Sequence, residues 1–238
     1  MKRDKTIGTL LIVGAVGVMI PYTVLTLTFD YPDILRQDTG SILTAFHGGG
    51  VSLILTWLAF ALLGFPLIVA YSMIGQKLEL QRTEMRWVTV LGIISGIVQI
   101  IGLLRWVFIV PVLAANYVNA AEPATREAIS VSFMVIHQFG GVLLGEHLGQ
   151  LLTVIWTIFT AYALLKTAII SRWLAYFAYA ASFIYLLAQA ELLATVVPGF
   201  PTIDVAGFLG STLWLIWIML TGIQFLKHAD ITSNQPAS

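Results

Sequence analysis

Six apolar stretches, each about as long as a bilayer core is thick, leave this chain little choice of solvent. They run approximately over 7–28, 50–74, 87–114, 140–165, 173–197 and 205–225, and about 20 apolar residues suffice for one helical crossing. Inside lipid a backbone N–H or C=O finds no water, so each crossing must satisfy its own hydrogen bonds as a helix. The expected fold class is therefore all-α: a polytopic membrane protein, one six-transmembrane-helix bundle over 1–238. The charged fraction agrees, at 10% of 238 residues against roughly 25% in soluble domains.

The short connections set the orientation. Lys2, Arg3, Lys5, Lys77, Arg82, Arg86, Lys166, Arg172 and Lys227 fall on one side, and Arg36 and Arg126 on the other. Lys and Arg are retained on the cytoplasmic face, so both termini are expected there, in the cytoplasmic membrane of a bacterium or archaeon. The first apolar run is too long for a signal peptide and lacks a small-residue cleavage site, so it reads as an uncleaved helix. With no cysteine, disulfide frameworks, thiolate nucleophiles and cysteine-ligated metals are excluded. Twelve basic residues balance twelve acidic ones, with no basic patch of the kind that takes nucleic acid. The expected partners are membrane lipids and other membrane subunits.

Two apolar tracts, 41–75 and 129–165, are too long for one crossing and too short for two. Spans 2 and 4 are therefore expected to carry helical extensions at their outer ends, about 41–49 and 123–139, the second starting at Glu122-Pro123 because proline suits a first helical turn. Spans 3 and 5 overlay at an offset of 86 residues. Arg86-Trp87 falls on Arg172-Trp173, Gly92 on Ala178, Ser95 on Ala181, Gly96 on Ser182, Gly102 on Ala188 and Arg105 on Glu191, with Pro111 and Pro198 ending the spans. This reads as a parallel repeat of two hairpins, or as the small-residue stripes common to packed membrane helices.

Ionisable residues inside apolar runs are costly and are read first as functional. Arg105 and Glu191 each lie 19 residues beyond the basic residue that opens their span, and Glu146 and His147 lie 20 and 19 before Lys166. At 1.5 Å per residue all four sit about 28–30 Å above the inner interface. Arg105 is expected to pair with Glu191, Glu146 or both. The pairing either fixes helix register or lines an outward-facing polar cavity between spans 3, 4 and 5. Gln99, Gln150 and Gln189 add polar groups, and Gly141, Gly145 and Gly149 allow close approach. The leading expectation is a binding protein for a small molecule or lipid, transporter-like or an accessory membrane subunit.

The histidines carry two alternatives. His47 with Gly48 to Gly50, and His137 with Gly140 and Gly141, combine an axial ligand with room for a ring, as bis-His haem b requires. His47, His137 and His147 with Glu146 as general base would make a zinc hydrolase, although residues 137 and 147 do not converge on a straight helix. Asp30, Asp33 and Asp38 lack the ligand spacing of a calcium loop, His228 reads as tail, and 233–238 is expected to be disordered.

The glycine-rich fourth span opening at His137, the turn Lys166-Thr-Ala-Ile-Ile-Ser-Arg172-Trp-Leu174-Ala, and the Pro198 loop before a Trp-rich last span resemble the bacterial membrane family known as domain of unknown function 4386. The resemblance covers nearly the whole chain. It implies a fold pattern and no activity.

Overall fold

A computed structural model describes residues 2–233, with side chains through residue 229. Among these residues there are helices and no strands. In chain order come α1 (Lys2–Phe29), a 3-10 turn (Asp33–Arg36), α2 (Thr39–Leu63), α3 (Phe65–Leu78), α4 (Met85–Phe108), α5 (Val110–Asn119) and α6 (Pro123–Ile136). A π-helix (His137–Leu148), α7 (Gly149–Lys166), α8 (Arg172–Leu187), α9 (Gln189–Ala194) and α10 (Ala206–Ser233) follow.

Six helical segments are long and apolar enough to cross a bilayer: Lys2–Phe29, Thr39–Leu78, Met85–Asn119, Pro123–Lys166, Arg172–Ala194 and Ala206–Ala229. The protein is a multi-pass membrane protein of the expected all-α class.

The breaks in these segments have local causes. Asp38 opens α2 as its N-cap, accepting from the Ser41 amide at 3.0 Å, and the Ser41 hydroxyl and amide hold its carboxyl below the usual carboxylate range. Within α2 the chain bends at Gly50, whose φ of 55° and ψ of −150° suit glycine. Pro111 does not end the third segment as expected. It stands in the first turn of α5, where its missing N–H costs nothing, and the helix runs on to Asn119. The fifth segment stops at Ala194, short of the expected 197. α10 continues to Ser233, and the remainder of the expected tail, 234–238, lies outside the described residues.

The chain forms two compact units. The first comprises the described parts of Met1–Val16, Phe65–Ile97 and His147–Ser238. There α8 packs against both α7 and α10, with Ala175, Ala178 and Ala181 fully buried and Gly210 so close to Tyr185 that a Cβ would stand 2.5 Å from its Cα. Where lipid supplies no hydrophobic drive between helices, such small residues permit the contact that replaces it.

The second unit comprises Gly17–Gly64 and Val98–Glu146. α2 packs against α5 and α6 around an aromatic core. Trp57 and Trp106 stack with centroids 4.9 Å apart, Phe46 stacks on Trp106 at 5.5 Å, and Phe29 meets Trp106 edge-on at 5.6 Å. Trp57 and Trp106 have no exposed surface.

Candidate functional site: a charged cluster on a π-helical turn

Residues 140–149 contain Gly140, Gly141, Gly145 and Gly149, poor formers of a regular α-helix. Here the chain winds as a π-helix from His137 to Leu148, with i→i+5 hydrogen bonds and roughly 4.4 residues per turn. The winding changes which side chains share a face. Nine residues separate His137 from Glu146; at about 100° per residue an α-helix would set them on opposite sides, whereas two π turns bring them back to one.

The structure places Arg105 beside this face, though not as expected. A Cβ on Gly141 would stand 2.5 Å from Arg105 Nη2, so the glycine makes the space that the guanidinium fills. Arg105 is 7% exposed. Its Nη1 donates to the Gly102 carbonyl one turn back and its guanidinium lies 5.1 Å from the Trp106 ring.

The expected Arg105–carboxylate pair is replaced by another. Glu146 Oε2 accepts from Arg36 Nη2 at 2.6 Å, an arginine of the 3-10 turn between the first two spans. Glu191 lies in the other unit, half-buried, with Oε2 3.8 Å from where a Cβ on Gly207 would be. Glu146 still acts on Arg105 and on His137 through space.

His137 is 9% exposed. Its ring stacks on Phe133 at 5.2 Å and meets Trp106 edge-on at 6.2 Å, with the Leu35 main chain beside it. Neither ring nitrogen makes a hydrogen bond of normal geometry, and the same holds for Arg105 Nε, Glu146 Oε1 and Trp57 Nε1. Native proteins pair nearly all buried polar atoms, so such a gathering calls for an explanation. In unpaired hydrogen-bond capacity the cluster holds a cationic donor, an anionic acceptor and an imidazole that can be either.

Close backbone contact builds this place. A Cβ on Gly102 would stand 2.8 Å from Gly145 Cα and 2.9 Å from the Gly140 carbonyl, atoms that no rotamer change can move. Gly102→Val is expected to force α4 and the π turn apart at a cost of about 1–3 kcal/mol, the usual range for overpacking. Thermal unfolding in detergent measures it, and an unchanged midpoint would show the contact to be slack.

The other anticipated residues make contacts of their own. His147 Nδ1–H donates to Gln189 Oε1 at 2.6 Å, and Gln189 Nε2 donates to Gln150 Oε1 at 2.7 Å, a linear chain within the first unit. Gln99 is half-buried on α4. His47, the other half of the haem expectation, has an exposed side chain, whereas His137 is buried. For the zinc alternative, no three His, Cys, Asp or Glu side chains among the described residues come together as a ligand set.

The same glycine-rich span that winds as the π turn lies within the stretch matched by a family model. Residues 6–222 match the family described as Domain of unknown function (DUF4386). The chain belongs to that family. No curated protein and no solved structure matches it.

Proposed function

We propose that this DUF4386 protein is a membrane-embedded binding protein, transporter-like or an accessory subunit, whose site is the cluster of Arg105, His137 and Glu146 with Arg36. The carrying observation is that Arg105 Nε, both nitrogens of His137 and Glu146 Oε1 are buried with no hydrogen bond of normal geometry. A buried polar group without a partner costs about 1–3 kcal/mol, which a bound polar molecule would offset. The ligand class is a small anion or a lipid headgroup that accepts from Arg105 and donates to Glu146. The Lys/Arg asymmetry supports an orientation with both termini cytoplasmic and the cluster toward the outer leaflet.

Arg105→Gln tests the reading. The Arg36–Glu146 pair survives this change, so the unfolding midpoint should stay within a few degrees of wild type. Retention of co-purified lipid or small anion, read by native mass spectrometry and lipid extraction, should fall about tenfold, the equivalent of one charge-assisted hydrogen bond. Equal retention in both proteins would overturn the assignment.

A second reading rests on the 2.6 Å Arg36–Glu146 contact: a register-fixing ion pair in a structural subunit. It requires Arg36→Gln to be as destabilising as loss of Glu146, with no ligand retained by the wild-type protein or by Arg105→Gln.

A further inference from the structure

The first unit has a cavity of its own, about 160 Å³, walled by Lys77, Leu78, Gln81, Thr167, Ile169 and His228. It lies among the residues that end α3, follow α7 and end α10, where the positive residues of the chain concentrate. Its volume falls below the roughly 300–1,000 Å³ of sites for drug-sized molecules and suits a single small group.

The wall is anchored by a buried acid. Asp4 is 3% exposed and accepts from Lys77 Nζ at 2.8 and 3.0 Å and from His228 Nδ1–H at 3.1 Å. One carboxylate from α1 thus fixes the cation of α3 and the imidazole of α10 in place. An ammonium has three donors, so Lys77 held on Asp4 keeps one for the cavity it lines. Gln81 adds an exposed amide. Thr167 contributes mainly shape, because its hydroxyl donates to the Ala163 carbonyl at 3.0 Å. Leu78 and Ile169, 1% and 5% exposed, form the apolar side.

We propose that this cavity binds a phosphate group, and that the mixed lining favours the phosphate of an anionic membrane lipid, with the first acyl methylenes beyond its glycerol against Leu78 and Ile169. Basic pockets between membrane helices recognise such headgroups by charge and donor placement. A free phosphate shares the polar chemistry and lacks the apolar part. The site is independent of the Arg105 cluster.

The test uses the full chain in a neutral maltoside detergent, with phosphatidylglycerol, phosphatidylcholine and inorganic phosphate as separate additives, read by native mass spectrometry and thermal unfolding. Wild-type protein should hold phosphatidylglycerol at least about tenfold better than phosphatidylcholine. Lys77→Gln alone would strand the Asp4 carboxylate, so the informative variant is Asp4→Asn with Lys77→Gln, which removes the cation and the buried acid together. It should lose about tenfold in phosphatidylglycerol binding, the loss expected for a charge-assisted contact. Arg86→Gln, at a side chain that is 84% exposed and does not line the cavity, should change binding less than twofold. Saturable binding of inorganic phosphate, lost in the double variant, supports the same site with a soluble source; selective retention of phosphatidylglycerol alone supports the lipid. Equal binding of both lipids with no saturable binding of inorganic phosphate, or an Arg86→Gln loss equal to that of the double variant, overturns the proposal.

Discussion

Glu146→Gln is expected to destabilise the protein by about 3 kcal/mol, the lower end of what removing one partner of a buried ion pair costs. The lower end applies because the two side chains keep 28% and 20% of their exposure. The glutamine is nearly isosteric, so the loss is electrostatic: Arg36 loses its carboxylate and the buried Arg105 loses the anion that acts on it through space. The double variant Glu146→Gln with Arg36→Gln should recover much of this loss, because neither residue then leaves a charge stranded. Unfolding in mixed micelles, completed as a double-mutant cycle, measures the coupling. If the two single effects simply add, Arg36 and Glu146 do not hold each other.

Trp106→Ala should cost at least as much, about 3–5 kcal/mol by comparison with aromatic truncations in other cores. Trp106 is fully buried and touches Trp57, Phe46, Phe29, Phe133 and His137. In lipid the transfer term shrinks, since acyl chains are as apolar as the core, and the cavity and dispersion terms carry the effect. Trp106→Phe should recover a large part by keeping a stacking partner for Trp57. Unfolding in detergent reads the difference; an alanine variant within 1 kcal/mol of wild type would mean that the cluster collapses to fill the gap.

The six crossings were legible because lipid enforces a length and a composition that hydropathy reads directly, and Arg105 and Glu146 stood out because charges are rare inside apolar runs. Their partners were not legible. Arg36 lies 110 residues from Glu146, in a connection whose local pattern says only that it meets water. The face shared by His137 and Glu146 depends on π winding, while periodicity arguments assume an α-helix; the four glycines in 140–149 were the available signal and read equally well as a packing ladder. Pro111 misled for a related reason, since a proline that ends one helix and a proline that begins the next look alike until the break at Ile109 is seen. The Lys77 cavity had no pattern at all, because Asp4, Lys77 and His228 are gathered from the beginning, the middle and the end of the chain.

The ion pair of Arg36 gives the connection between the first two spans a role beyond joining two helices. Residues 33–36 work as a strut rather than a free tether, and an epitope or reporter spliced there would pull on Glu146. The solvent-exposed step at Ala121 and Glu122 is the gentler place to insert a topology marker on that side.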